Sequence, residues 1–162
     1  MLANVQAGFD SYVEFAPGDW KPPLVGRDRE RTLGLLGDAE TFALLGLAGG
    51  RPAGHVAFLP ARESEAGDGS DWTSRLKVPG LTHLWQLFVL PKFWGTGLAP
   101  ILHQRAVAEM RARQYEQARL YTPSLHARAR RFYERRGWEP LAERWNDGLQ
   151  LVLTEYRLDL RP

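Results

Sequence analysis

The chain has 162 residues, of which 44% are hydrophobic and 25% are charged, which suits a single globular domain over residues 1–162. A net charge of +2 does not by itself indicate nucleic-acid binding, and the absence of cysteine excludes disulfides, thiolate metal sites and a catalytic cysteine. No apolar run approaches the roughly 18 to 20 residues of a membrane span, and the N-terminus lacks a signal-peptide pattern, so we predict a cytoplasmic protein.

The first third of the chain predicts two short helices and a hairpin. Apolar residues recur at helical spacing within residues 1–20, and a second short helix is predicted over 27–36. Two apolar runs, 41–47 and 54–59, then flank the turn pair Gly49-Gly50. This arrangement is typical of a β-hairpin.

A long loop and a strong strand follow. Residues 60–80 predict a loop that is either a mobile surface insertion or a lid over a site. Residues 84–90 are apolar on both faces except at Gln86, which is typical of a central strand covered on both sides. Pro91 ends this strand, and a glycine-rich turn leads into a helix.

The apolar stripe of that helix consists of Leu98, Ile101, Leu102, Ala106 and Met110. His103 is predicted to face solvent. The remaining elements are predicted as a strand over 119–122, a helix over 125–136, and strands over 138–145 and 149–160. Alternating strands and helices followed by strands predict an α/β fold with a mixed sheet and helices on both faces.

The turn before this helix contains the most informative residues. Gly95 and Gly97 lack Cβ atoms where the helix begins, so backbone N–H groups and the positive end of the helix dipole are exposed to an anion such as pyrophosphate. The chain has no Gly-x-x-x-x-Gly-Lys-Ser/Thr run, which excludes a P-loop. A dinucleotide-binding motif fails because Pro100 stands at its third glycine.

The turn resembles that of the GNAT superfamily of N-acetyltransferases, in which Gln/Arg-x-x-Gly-x-Gly/Ala opens a helix after a Leu-x-Val strand. Gly97 and Ala99 match the last two positions, and Trp94 stands where the family has Gln or Arg. Lys92 is a candidate to supply the missing charge.

Two further segments carry the resemblance. Residues 129–138 look like the family's Ala-x-x-Phe-Tyr-Glu-x-x-Gly-Phe block, with His126 where an Asn is common. The hairpin over 49–58 is a weaker match. The similarity covers roughly residues 40–140, and it implies a mostly antiparallel sheet of six to seven strands that splays at the cofactor strand.

The resemblance also implies acetyl-CoA as cofactor. The strand residues expected along its pantetheine arm are Leu87, Phe88 and Val89. The residues expected at its phosphates, in and beside the turn, are Lys92, Trp94, Gly95, Thr96, Gly97, Leu98 and Ala99. The residues expected to contact it from the later helix are His126, Ala129 and Phe132.

The implied reaction is transfer of an acetyl group from a thioester to a primary amine by direct attack in a ternary complex. The amine must lose a proton, the tetrahedral intermediate needs N–H donors, and the thiolate needs a proton. Tyr133 falls where the family has its thiolate-protonating tyrosine, and its alternative role is that of a core residue beside Phe132. His83, at the start of the cofactor strand, replaces a common Glu as candidate base, or is a partly exposed strand-end histidine.

The expected acceptor is an amine of a small molecule or of a peptide. The acceptor-side candidates are Gln86, His55, Trp72 and Trp20, and the two tryptophans suggest an apolar or aromatic acceptor. No histidine pair has metal-ligand spacing beside an acid, so no metal is predicted. The alternative function is a non-catalytic acyl-CoA-binding module.

Five arginines lie on one predicted helix, from Arg128 to Arg136, and they allow three interpretations. They form a solvated face, or they bind the phosphates of coenzyme A, or they bind nucleic acid. No recognised motif supports the third interpretation. Apolar final strands would suit a homodimer.

Overall fold

The computed structural model describes residues 1–63 and 75–162. Its α-helices are α1 (Leu2–Asp10), α2 (Arg29–Gly37), α3 (Leu98–Ala112) and α4 (Ala127–Glu134). Its strands are β1 (Phe42–Ala48), β2 (Arg51–Arg62), β3 (Lys77–Val89), β4 (Gln117–Pro123), β5 (Glu139–Asn146) and β6 (Leu151–Asp159). Short 3-10 helices cover Ser11–Glu14, Val25–Asp28 and Pro91–Phe93.

The described strands form one six-stranded sheet in the order β1-β2-β3-β4-β6-β5. Every neighbouring pair is antiparallel except β3 and β4, which run parallel. Helix α1 contacts the sheet at β2 and β3, and α3 contacts β1, β2 and β3. The predicted mixed, mostly antiparallel sheet is therefore confirmed.

The sheet splays between its two parallel strands. β3 and β4 are paired only from Leu81 to His83, opposite Gln117 to Arg119. Beyond this point β4 continues beside β6, and β3 continues beside β2. The edge of β3 from Leu84 to Val89 is thus left unpaired with β4, which confirms the predicted splay at this strand.

A β-bulge in β3 decides which side chains face each layer. Phe58 pairs with Leu84 and Ala57 pairs with Gln86, so Trp85 is an extra residue that has no paired residue in β2. The bulge turns Leu84 and Leu87 toward the same core, under α3, although they are three residues apart. Gln86 belongs to the other face, on which α1 packs.

Two boundaries differ from the predictions. β3 begins at Lys77, so His83 lies mid-strand at the last pair with β4, and its placement at the strand start was wrong. The predicted loop over 60–80 is also too long, because β2 extends to Arg62 and β3 takes up residues 77–80. Backbone pairing between Arg62 and Lys77 extends both strands although their sequences are polar. Residues 64–74, where a lid was considered, lie outside the described residues.

The buried stripe of α3 also differs from the prediction. Ile101 is 56% exposed, whereas His103 is only 6% exposed. The indole N–H of Trp138 donates a hydrogen bond of 2.8 Å to Nε2 of His103, which satisfies both polar groups inside the core. A histidine with a buried donor partner replaces the expected isoleucine, and the prediction that His103 faces solvent was wrong.

Within the described ranges, 1–63 and 75–162, no helix is both long and apolar enough to cross a membrane.

Candidate active site

A cleft of about 440 Å³ opens at the splay, between the unpaired edge of β3 and the turn before α3. Its walls include most of the residues predicted to bind the cofactor. These are Leu87, Phe88, Val89, Trp94, Gly95, Gly97, Leu98, Ala99, His126, Ala129 and Phe132. Two other predicted residues, Lys92 and Thr96, do not line it. Separate segments of the sequence, 87–99 and 126–132, are thus brought to one site.

The turn before α3 has the backbone that a phosphate cradle requires. Gly95 and Gly97 have φ angles of +79° and +86°, a region that side chains disfavour. A Cβ atom on either glycine would meet no described protein atom within 4 Å, so it would project into open space. Gly97 caps α3, and Pro100 lacks an N–H, so the free donors of the first turn are those of Leu98 and Ala99. These features fit an anionic phosphate group.

Trp94, which stands at the polar position of the family motif, packs against Arg128. The indole N–H of Trp94 donates 2.8 Å to the carbonyl of Val89, which fixes the ring beside the end of β3. The guanidinium of Arg128 stacks on this ring at 3.4 Å from its centroid, and both residues line the cleft. Lys92, predicted to supply the charge, is instead exposed and lies 5.1 Å from the ring of Phe93.

Tyr133 lies against the inner end of the cleft. It is 9% exposed and is packed among the rings of Phe132, His103 and Trp138. Burial raises the pKa of its hydroxyl above the ordinary value of 10, so the group remains protonated at neutral pH. Its hydroxyl makes no hydrogen bond to another described residue. A protonated donor at this position suits delivery of a proton to a leaving group.

His126, the N-cap residue of α4, packs against the N-terminal segment. Its ring stacks on Phe15 with centroids 4.5 Å apart and meets Tyr12 edge-on at 5.5 Å. Burial, reinforced by Arg128, lowers its pKa to about 4. The side chain is therefore a neutral wall of the cleft at neutral pH.

A second cavity, of about 420 Å³, lies on the α1 face of the sheet. It shares four aromatic residues with the cleft, namely Tyr12, Trp85, Phe88 and Tyr121. The predicted acceptor-side residue Gln86 and the candidate base His83 both line it. The two cavities thus approach each other at the splay.

The imidazole of His83 is held in one tautomer. Its Nδ1 lies 3.2 Å from the carbonyl oxygen of Arg119, and since a carbonyl only accepts, Nδ1 carries the proton. Nε2 is then an acceptor and has no partner among the described residues. Burial first, and then the positive charge of Arg119, lower the pKa of His83 to about 3. The ring is consequently a hydrogen-bond acceptor at neutral pH and a weak base.

The other acceptor-side predictions have different outcomes. His55 has no exposed surface and lines neither cavity, because its two ring nitrogens are bonded to Asn4 and Gln86 inside the sheet's α1 face. Trp20 lines neither cavity and donates its indole N–H to the carbonyl of Leu149 at 2.6 Å. Trp72 lies outside the described residues.

Sequence reasoning missed two residues of the site. Tyr12 lines both cavities, and the predicted helical pattern gave no reason to choose it over the neighbouring apolar residues. Arg128 was grouped with four other arginines of its helix, and only its stacking on Trp94 distinguishes it. No group of three or more metal-ligating side chains is present in the part of the chain that the structure describes.

We expect acid to destabilise the fold through its four histidines. Burial lowers the pKa of His83 to about 3 and those of His55, His103 and His126 to about 4. Between these values and about 6.5 the unfolded chain binds more protons, so stability falls as pH falls through this range, by at most about 1.4 kcal/mol per histidine per pH unit. Thermal unfolding at pH 7.5 and pH 5 should show a Tm several degrees lower at pH 5.

His126→Asn isolates one of these groups, because Asn does not titrate. The variant should lose less stability than the parent chain between pH 7.5 and pH 5. A Tm that stays constant or rises toward pH 5 would contradict the four lowered pKa values.

The splayed mixed sheet and the glycine-rich turn before α3 define an α/β domain with a cleft suited to an anionic ligand. Residues 5–138 match the model described as the acetyltransferase (GNAT) family, and the chain belongs to this family. It is therefore a domain of the acetyltransferase type.

Three known proteins are similar to this chain, one of them in sequence and two of them in fold. Mycothiol acetyltransferase of Beutenbergia cavernae is 34% identical over 164 residues, which cover 87% of this chain and 53% of that protein. The ribosomal-protein-alanine N-acetyltransferase of Brucella melitensis has a TM-score of 0.69 at 17% identity, over 98% of this chain and 93% of that chain. The PaiA N-acetyltransferase of Thermoplasma acidophilum, solved in complex with coenzyme A, has a TM-score of 0.63 at 13% identity, over 97% and 94%. The chain spans about half the length of its curated relative.

Proposed function

We propose that this chain transfers an acetyl group from acetyl-CoA to a primary amine by direct attack within a ternary complex. The observation that carries this proposal is the pair of neighbouring cavities beside β3, which share Tyr12, Trp85, Phe88 and Tyr121 at the splay. Donor and acceptor can then be bound at once, one in each cavity, with their reacting atoms meeting between the strands. Such positioning alone lowers the barrier substantially.

Acetyl-CoA supplies the acyl group as a thioester. The turn around Gly97 would hold its phosphates through backbone N–H groups, and the unpaired edge of β3 from Leu84 to Val89 offers backbone donors along the pantetheine arm. The same kind of donor would polarise the carbonyl under attack. Tyr133, protonated at neutral pH, would donate a proton to the departing sulfur.

His83 would act by accepting a hydrogen bond rather than by titrating near neutrality. A pKa of about 3 makes it a poor reservoir for a proton at pH 7. The Nε2 acceptor can still orient the attacking amine, directly or through water, toward the thioester. The surrounding cavity also favours the uncharged amine, because burial lowers the pKa of amines as it does that of His83.

A non-catalytic acyl-CoA-binding module is not favoured. Such a module needs only the first cavity, whereas this chain has a second one, and Gln86 and the neutral ring of His83 line that second cavity. A hydroxyl that remains protonated, that of Tyr133, also borders the cleft.

The experiment for this proposal measures release of the coenzyme A thiol from acetyl-CoA, with and without primary amines, alongside product mass. We expect thiol release that depends on the amine. The product should be about 42 mass units heavier than the amine, because an acetyl group replaces one hydrogen atom. Calorimetric binding of acetyl-CoA without any amine-dependent release, across a broad amine panel, would contradict catalysis and favour the binding module.

We expect Arg128→Ala to raise the KM for acetyl-CoA by about tenfold with little change in kcat. The reason is that Arg128 places a positive charge at the cleft wall, stacked on Trp94, where a charge-assisted contact to phosphate contributes binding in ground and transition states alike. Lys92→Ala is the matched control, because it removes an equal charge from an exposed side chain, in the 3-10 helix Pro91–Phe93, that does not line the cleft. Equal effects of the two variants would show that only net charge matters.

A further inference from the structure

We infer that the acceptor is a small primary amine with an apolar or aromatic body and an oxygen acceptor, such as a carbonyl or hydroxyl, close to the amine. This inference rests on the proposed function and names the substrate class of the second cavity. It follows from the walls of that cavity, from the fixed orientation of one amide, and from the charges around it.

The cavity walls are mostly apolar. Its described apolar and aromatic members include Val5, Phe9, Val25, Leu149 and Leu153, beside the shared aromatics at the splay. A volume of about 420 Å³ suits a small molecule more than a folded polypeptide segment. An acceptor with an apolar body would bury its own apolar surface against these walls, whereas a fully polar amine would give the walls no apolar partner.

A chain of hydrogen bonds fixes the amide of Gln86. Asn4 donates through its Nδ2 to Nδ1 of His55 at 3.4 Å, so His55 carries its proton on Nε2. That proton is donated to Oε1 of Gln86 at 3.0 Å. The carbonyl of Gln86 is therefore engaged inside the protein.

The NH₂ group of Gln86 remains as a donor. It makes no hydrogen bond to another residue of the described ranges, and Gln86 lines the second cavity. A donor at a mostly apolar wall needs an acceptor, and an oxygen on the bound molecule would satisfy it.

His83 offers the complementary group. Its Nδ1 proton is bonded to the carbonyl of Arg119, which leaves Nε2 as an acceptor on a side chain that lines the same cavity. Gln86 and His83 thus present one donor and one acceptor, three residues apart on β3. An amine beside a carbonyl or hydroxyl oxygen matches both groups, with the amine at His83 and the oxygen at Gln86.

The charges argue against polycationic acceptors. No Asp or Glu is found among the described residues that line the second cavity. Multiple ammonium groups would therefore enter a partly apolar space without a carboxylate partner on its described walls, which is costly.

The experiment compares kcat/KM for four amines with saturating acetyl-CoA. They are phenylalaninamide (apolar body and oxygen), phenethylamine (apolar body only), glycinamide (oxygen only) and spermidine (polycation). We expect phenylalaninamide to be used at least fivefold better than phenethylamine and about 50-fold better than glycinamide or spermidine, from about 1 kcal/mol for the hydrogen bond and a buried side chain's worth of apolar surface for the body.

Variants locate the preference at Gln86. Gln86→Leu should lower the ratio of kcat/KM for phenylalaninamide to kcat/KM for phenethylamine to about one, a ratio that cancels any general loss of activity from the unpaired Nε2–H of His55, and should leave the KM for acetyl-CoA unchanged. Gln104→Leu, on the exposed side of α3, is the matched control and should change neither. The phenethylamine rate also shows that each variant is folded.

The outcomes separate this inference from the proposed function. Preference for spermidine or glycinamide, or a Gln86→Leu variant that retains the preference for phenylalaninamide, would overturn the inference and leave acetyl transfer intact. Binding of acetyl-CoA with no transfer to any amine would overturn the proposed function, and the inference with it.

Discussion

Replacing Tyr133 by phenylalanine is expected to lower kcat about 100-fold or more while leaving the KM for acetyl-CoA nearly unchanged. The hydroxyl borders the cleft, makes no hydrogen bond to another described residue and is protonated at neutral pH, as any tyrosine is, while burial raises its pKa further. Removal of the hydroxyl therefore removes a proton donor but no hydrogen bond to another described residue. General acid catalysis contributes about 100- to 10,000-fold in enzymes.

The phenylalanine variant retains the ring contacts with Phe132, His103 and Trp138, so we expect its Tm to lie within a few degrees of the parent value. Steady-state kinetics with saturating acceptor, together with thermal unfolding, make the comparison. Tyr115→Phe is the matched control, because that half-buried tyrosine packs on Phe58 and lines neither cavity. An unchanged kcat for Tyr133→Phe would restore the alternative that Tyr133 is a core residue.

The fold could be predicted largely because its signals are local. The run from Leu84 to Leu90, the turn pair Gly49-Gly50 and the Asp147-Gly148 turn each reflect physics within a few residues. The end of β2 and the start of β3 were missed for the opposite reason. Their pairing partners are distant in sequence, and the polar ends at Arg62 and Lys77 are strand only because they pair with each other.

The site was predictable where the backbone carries the chemistry and unpredictable where side chains from distant segments meet. Gly97 and Ala99 match the last two positions of the family motif, and both line the cleft. The stacking of Arg128 on Trp94 joins residues 34 positions apart, so no local pattern could distinguish Arg128 from its neighbouring arginines or displace Lys92 as the candidate cation.

The pKa values of the histidines also depend on contacts between distant segments, and this dependence changes the chemistry expected of them. Sequence assigns each of them an ordinary pKa near 6.5, which made His83 a reasonable base. Its burial and the neighbouring charge of Arg119 depend on the pairing of β3 with β4, and they lower its pKa to about 3. The role left to His83 is that of a hydrogen-bond acceptor.

Gly97→Val is expected to weaken binding of acetyl-CoA at least 100-fold in calorimetric titration. A Cβ atom at Gly97 would meet no described protein atom within 4 Å, and the residue lines the cleft, so a valine side chain would occupy the space that a phosphate needs. The φ angle of +86° also disfavours a β-branched residue, which would shift the backbone N–H groups of the turn.

Gly49→Val separates these two effects. Gly49 also has a positive φ, of +56°, and a Cβ atom there would likewise meet no described atom within 4 Å, but it lies in the β1–β2 hairpin and lines neither cavity. Both variants should lose a comparable amount of thermal stability from backbone strain, of order 1 to 3 kcal/mol. Only Gly97→Val should lose acetyl-CoA, because only its side chain enters the cradle. Parent-like affinity in Gly97→Val would place the phosphates elsewhere, since a cradle of backbone N–H groups cannot accommodate both a valine and a pyrophosphate.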